Sequence, residues 1–191
     1  MKTHLVALFA SGSGSNAVNL IRYFDAHESI RIRLLVCNKP DAPVVEKVKA
    51  LGIEVLVTDN AAFETGNSIA EVLKEWQIGW IVLAGFLRKL PALLIRAYEN
   101  RIINLHPALL PKYGGKGMYG MFVHQAVIAA KEAQSGITIH LVNEEFDAGE
   151  TLAQYSIDLD EQDSPESVAV KVQELEHLYF PSIIERTIKS T

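Results

Sequence analysis

"HLVALFASGSGSN", residues 4–16, decides the fold class. The nearly unbroken apolar run 4–10 reads as a strand buried on both faces, the pattern of parallel sheets covered by helices. Glycines and serines then turn the chain, and a helix is expected over about 17–26. A strand that passes straight into a helix opens a βαβ unit, because parallel neighbours need a crossover.

The alternation continues outward from there. "IRLLVC" (32–37) is the second strand. Asp41 reads as an N-cap with Pro43 in the first turn, Val44, Val48 and Leu51 on one face, and Gly52 as the stop. "IEVLV" (53–57) is a third strand, and Ile69, Val72, Leu73 and Trp76 give 67–77 an amphipathic helical face. "WIVLAGF" (80–86) is a fourth strand, 91–98 a short helix, and 101–105 a fifth strand. The glycine-rich 107–122 breaks the rhythm before a helix at 123–134 and a strand, "ITIHLV", at 137–142. "TLAQYSIDL" (151–159) follows too soon for a crossover and is expected to pair antiparallel at the sheet's end. Ser164 and Pro165 open the last helix.

Bulk properties narrow the function classes. A 191-residue chain with 49% hydrophobic and 21% charged residues suits one globular domain. A net charge of −5 offers no basic face for nucleic acid. The single Cys37 lies in an apolar run as a core residue, which fits a reducing, cytoplasmic setting. The N-terminal stretch reaches Gly and Ser before any signal-length apolar region develops, and no run is long enough to span a membrane.

Ligands of parallel α/β sheets bind at the carboxyl ends of the strands. That edge is expected to gather Ser11–Asn16, Gly85–Arg88, Asn104 with His106, and Asp147 in "EEFDAGE". "SGSGSN" is a candidate phosphate cradle: Gly12 and Gly14 admit an anion, Ser13, Ser15 and Asn16 add donors, and the helix start is positively polarised. Gly12, Gly14 and Ala17 also fit G-x-G-x-x-A, but the second strand ends in Cys37 and Asn38 rather than the acid a dinucleotide ribose needs, so a single phosphate fits better. A nicotinamide dehydrogenase and a non-catalytic nucleotide-binding module remain alternatives.

"IINLHPALLP" (102–111) ends its strand in an amide and an imidazole two residues apart, on one face. Asn104 and His106 read as donors to an oxyanion, with Asp147 orienting the ring and moving a proton. The structural reading, a strand-end cap and a buried hydrogen bond, stays open beside it. His140 reads equally as structural or as part of the site. His124 lies where it would meet an anion, and His4, His27 and His177 carry no assigned role. No His, Asp and Glu spacing makes a metal site.

"SGSGSN", "LAGFLRKL", "INLHPALLPKY", "GITIHLVNEEFDAGE" and "VQELEH", in this order, resemble the formyltransferase family over nearly the whole chain, and within it the phosphoribosylglycinamide (glycinamide ribonucleotide) formyltransferases. The resemblance implies one Rossmann-like domain over 1–191, with a phosphate-binding half at about 1–100 and a folate and catalytic half at about 101–191. It implies transfer of formyl from 10-formyltetrahydrofolate to the amine of glycinamide ribonucleotide in purine synthesis, without a metal, by a monomer or homodimer. Asn104, His106 and Asp147 would be catalytic. Ser13, Gly14, Ser15 and Asn16 would hold the 5′-phosphate, and Glu176 the amine end. Leu87, Arg88, Leu90, Asn143, Glu144, Glu145 and Phe146 would line the folate, and Pro111 would follow a cis bond. A 10-formyltetrahydrofolate hydrolase or a sugar-amine formyltransferase is the nearest alternative. Two stretches depart from the family: "ETGN" follows Phe63 where a basic residue is usual, and "GGKGMYGMFVH" is longer than the usual loop, with Lys116 as a new candidate phosphate contact.

Overall fold

The computed structural model describes residues 3–191. Its first unit, Met1–Ile103, holds β1 (His4–Phe9), α1 (Ser15–Phe24), β2 (Ile30–Cys37), α2 (Pro43–Lys49), β3 (Glu54–Val57), α3 (Asn60–Thr65), α4 (Asn67–Glu75), β4 (Trp80–Leu83) and α5 (Ala92–Ala97). The second unit, Asn104–Thr191, takes most of β5 (Ile102–His106), then α6 (Met121–Ala129), β6 (Gln134–Leu141), β7 (Thr151–Asp158) and α7 (Pro165–Lys189). The strand order is β3-β2-β1-β4-β5-β6-β7.

In the first unit β1 pairs in parallel with β2 and β4, and β2 in parallel with β3. Val6, Ala7, Leu8 and Phe9 have no solvent exposure, as an apolar run in the middle of a parallel sheet requires. Phe9 and Phe63 each pack a ring against Phe86, at centroid separations of 5.5 and 5.1 Å. Phe63 comes from α3, a helix the sequence pattern does not reveal. It is only six residues long with one buried side chain, and its Asp59 cap, accepting from Ala62 N–H at 2.7 Å, is its main local signal.

Two expectations in this unit need correction. The N-cap of α2 is Ala42, not Asp41, and it makes no side-chain cap bond; Pro43 at the first position starts the helix instead. Leu51 lies beyond the end of α2 and is exposed, because the helix stops at Lys49 and Gly52 turns the chain at φ 74°.

In the second unit β6 and β7 are antiparallel, as the short link between them predicts. The helix expected at 123–134 is α6 at Met121–Ala129; Lys131 turns left-handed at φ 51°, and β6 starts at Gln134 rather than 137. Ser164 caps α7 as predicted, with Ser167 as its reciprocal partner and Pro165 in the first turn. No helix among the described residues is long and apolar enough to cross a membrane.

The turn between β6 and β7 folds back tightly on its own strand. A Cβ on Gly149 would lie 1.7 Å from the Leu141 carbonyl oxygen, a backbone atom that cannot step aside. Gly149→Ala is therefore expected to destabilise the fold by about 3 kcal/mol. Urea unfolding measures this, and a loss below about 0.5 kcal/mol would contradict the packing described.

Candidate active site

In the first unit, "SGSGSN" joins β1 to α1 with Gly14 at φ 79°, left-handed, as the N-cap residue. The first-turn N–H groups of a helix have no intrahelical acceptor, so this start suits an anion. Glycine at 14 also serves packing. A Cβ there would meet Val44 Cγ2 at 2.5 Å, so the glycine lets α2 approach rather than only an anion. Ser11 is structural: its hydroxyl donates to Asn38 Oδ1 at 2.8 Å and accepts from Leu87 N–H at 3.4 Å. Ser13 is exposed, and its carbonyl accepts from Lys47 Nζ at 2.9 Å.

In the second unit the polar residues of β5, β6 and the 142–150 turn meet. His140 Nδ1 lies 2.8 Å from the Leu141 carbonyl oxygen. A carbonyl only accepts, so Nδ1 carries the proton, and in the neutral ring Nε2 accepts the Asn104 amide N–H at 3.0 Å. His106 has the opposite arrangement: its Nε2–H donates to the Tyr113 carbonyl at 2.7 Å, which leaves Nδ1 as the free lone pair of the neutral ring. Asp147, at φ 52°, reaches between the two rings. Its Oδ2 is 3.7 Å from His106 Nδ1, its Oδ1 is 3.7 Å from His140 Nε2, and Oδ2 also accepts Gly115 N–H at 2.8 Å.

Burial sets the electrostatics. His106 and His140 are 4% and 2% exposed. Desolvation holds the His106 pKa below its ordinary value, against the opposing pull of Asp147 and the Tyr113 carbonyl, while His140 adds to the lowering. Burial alone would raise the Asp147 carboxyl, but the His140 ring beside Oδ1, the Gly115 N–H bond and the attraction of both rings in their charged forms outweigh it and hold the carboxyl below its ordinary value. The carboxylate is thus ionised at neutral pH. His124 is a buried residue of α6, 5% exposed, and its Nδ1 has no hydrogen-bond partner; burial and then His106 depress its pKa.

The other predicted residues take varied positions. Arg88 bonds to Asn60 and to Glu64 at 3.5 Å and lies 5.7 Å over the Phe63 ring, so the acidic "ETGN" departure is matched by Arg88 itself. Leu87 is exposed and Leu90 buried. Asn143 closes its own turn by donating to the Ala148 carbonyl and accepting from Glu145 N–H; Phe146 projects into solvent. Glu144 and Glu145 are exposed, Glu176 is half-buried on α7, and the Leu110–Pro111 bond is cis. Among the described residues no group of His, Cys, Asp and Glu is placed to hold a metal ion. A cleft of about 620 Å³ lined by Arg31, Arg33, Trp76 and Gln77 sits by the amino-terminal ends of β1 and β2, and none of the predicted site residues lines it.

The positioning role of His140 is the main site feature that sequence reading leaves undecided. Its one available signal is position: a histidine inside a strand buried along most of its length must be satisfied from an adjacent strand or turn.

The sequence profile of the formyl transferase family matches residues 4–184. A phosphoribosylglycinamide formyltransferase of Bacillus subtilis (strain 168) is 36% identical over 189 residues, covering 95% of this chain and 93% of that protein. The chloroplastic phosphoribosylglycinamide formyltransferase of Arabidopsis thaliana is 38% identical over 94% of this chain, which spans 63% of that relative's length. A crystal structure of phosphoribosylglycinamide formyltransferase from Bacillus halodurans superposes with a TM-score of 0.87 at 36% identity, covering 95% of this chain and 94% of the other.

The buried imidazoles give the second unit an acid-sensitive stability. His106 and His124 have folded-state pKa values below their ordinary 6.5. The unfolded chain therefore binds more protons at mildly acidic pH, and stability present above about pH 6.5 falls as pH drops towards the folded values. The thermal midpoint is expected to decline between about pH 7.5 and about 5.5, above the range where carboxylates titrate. His124→Gln, which removes one of these titrations, flattens that decline; an unchanged slope would contradict the assignment.

Proposed function

Because the chain belongs to the formyl transferase family, we propose that it transfers the formyl group of 10-formyltetrahydrofolate to the amine of glycinamide ribonucleotide, a step of purine synthesis. The observation that carries this reading is the meeting of Asn104 and Asp147 with the buried His106 and His140, on a chain similar along its length to phosphoribosylglycinamide formyltransferases.

The folate co-substrate supplies an activated one-carbon group. When an amine attacks a formyl carbon, negative charge grows on the formyl oxygen, and fixed donors aimed at that oxygen lower the barrier by about 3–4 kcal/mol for one good donor. Asn104 has two amide N–H bonds. One is held on His140, which fixes the amide plane, and the other serves the oxygen. His106 keeps Nε2–H on the Tyr113 carbonyl, so Nδ1 faces the oxygen and donates to it once the ring, neutral at rest, has taken up a second proton from solvent. The Asp147 carboxylate stabilises that cation and takes the proton lost by the amine, directly or through water; the tetrahedral adduct then collapses, the bond between the formyl carbon and the folate nitrogen breaks, and that nitrogen leaves with the proton, which returns the site to its starting state.

The remaining assignments follow the family resemblance. Ser13, Gly14, Ser15 and Asn16 hold the 5′-phosphate at the start of α1, where backbone N–H groups and the helix dipole favour an anion. Glu176 pairs with the glycinamide end. Exposed Leu87 and Phe146 supply apolar surface for the folate ring system, with Arg88 and the 143–145 turn beside them in their respective units. Leu90 is 4% exposed and acts by packing rather than by contact. No metal takes part in this reading.

Formyl transfer is measured by the absorbance change of the folate and by mass detection of formylated glycinamide ribonucleotide. The wild type is expected to turn over both substrates. His106→Ala and Asp147→Asn are each expected to lower kcat by about 10²-fold with little change in phosphate-ligand affinity. Folded wild-type protein that leaves both substrates intact would overturn the proposal. Folate deformylation without an amine would identify a hydrolase, and use of an amino-sugar nucleotide would identify the sugar-directed branch.

A further inference from the structure

Outside the four residues above, the second unit contains a polar anchor with no part in the proposed chemistry. Tyr113 follows "LLPK" in a left-handed conformation, φ 58°, which a bulky side chain rarely adopts. Its phenol hydroxyl donates to Glu132 Oε1 at 2.8 Å. The same carboxylate receives Lys112 Nζ at 2.9 and 3.0 Å, one bond to each oxygen. These bonds hold the Glu132 carboxyl below its ordinary pKa. Glu132 stands three residues beyond the end of α6 and just before β6, and its backbone N–H is tied to the Val127 carbonyl at 3.3 Å. The anchor is therefore fixed to helix α6, whereas Tyr113 belongs to the irregular glycine-rich segment.

The Tyr113 backbone carbonyl is the acceptor of His106 Nε2–H. We propose that Glu132 is a positioning residue: by holding the Tyr113 ring, it keeps this strained residue's carbonyl against His106 and so fixes which ring nitrogen faces the reaction. The inference rests on the reading of His106 as the oxyanion donor. Without the anchor, Tyr113 is free to relax from its left-handed conformation, and its carbonyl swings away from the imidazole. His106 then loses the acceptor that stabilises its Nε2–H in the cation. Its Nδ1 also loses its fixed aim, and the neutral ring is free to move its proton to Nδ1. The groups that face His106 are Asp147, His140, His124 and the Tyr113 carbonyl, and only the last depends on Glu132.

The test is steady-state formyl transfer across a range of pH for the wild type, Tyr113→Phe, Glu132→Ala, Glu132→Gln and His106→Ala. Tyr113→Phe keeps the ring in its packing against Ala108, Val123 and Val127 and removes only the hydroxyl, so it keeps the test valid even if Glu132→Ala fails to fold. Tyr113→Phe and Glu132→Ala are expected to lower kcat by about 10-fold with KM for both substrates changed less than about 3-fold. The high-pH limb of kcat/KM moves to lower pH in both, because the catalytic cation has lost a hydrogen-bond acceptor. Glu132→Gln retains an acceptor for the tyrosine hydroxyl and recovers most of the loss. Folded Tyr113→Phe with wild-type kcat and an unmoved limb would overturn the inference. If His106→Ala is impaired while that happens, the inference falls alone; if His106→Ala turns over like the wild type, the catalytic reading falls with it.

Discussion

A carboxylate placed between two buried imidazoles is the constraint on which the second unit depends. Asp147 is ionised in a place where burial disfavours charge: its Oδ2 accepts the Gly115 N–H, and its two oxygens stand 3.7 Å from His106 Nδ1 and His140 Nε2, the nitrogens that would gain a proton when either ring is charged. Each of those partners is itself fixed by a carbonyl or by the chain's path. His140 is held by Leu141, His106 by Tyr113, and the Asp147 turn by the close approach of Gly149 to Leu141. Satisfying one buried charge thus orders a strand end, a tight turn and a glycine-rich segment together.

The same network makes the two histidines chemically distinct. Both rings face one carboxylate, yet their carbonyl partners lie on different nitrogens. His140 turns an acceptor towards the Asn104 amide and orients it, whereas His106 turns an acceptor towards Asp147 and needs a second proton before it can donate there. One ring therefore aligns an amide, and the other changes protonation state beside the anion. This division of labour follows from hydrogen-bond valence alone, before any ligand is considered.

Much of this was legible in the sequence. The parallel strands announced themselves as apolar runs, and the antiparallel last pair followed from a link too short for a crossover. The Ser164 cap carried its signal locally, as did the pairing of Asn104 with His106 at one strand end. What escaped depended on contacts distant in the chain. The α3 helix has one buried residue and no period to detect, and the α2 cap failed because Pro43 starts that helix without Asp41. Gly14 reads as space for an anion, and that it also makes room for Val44, 30 residues on, has no local signal. Glu132 carried no signal at all, since its meaning lies in a tyrosine from another segment.

The central claim is that the two neutral rings hold their protons on opposite nitrogens. Nitrogen-15 NMR of the histidine side chains near neutral pH reads this directly. The account predicts the neutral His106 ring protonated on Nε2 and the neutral His140 ring protonated on Nδ1. The same tautomer in both rings, or the reverse assignment, would contradict it.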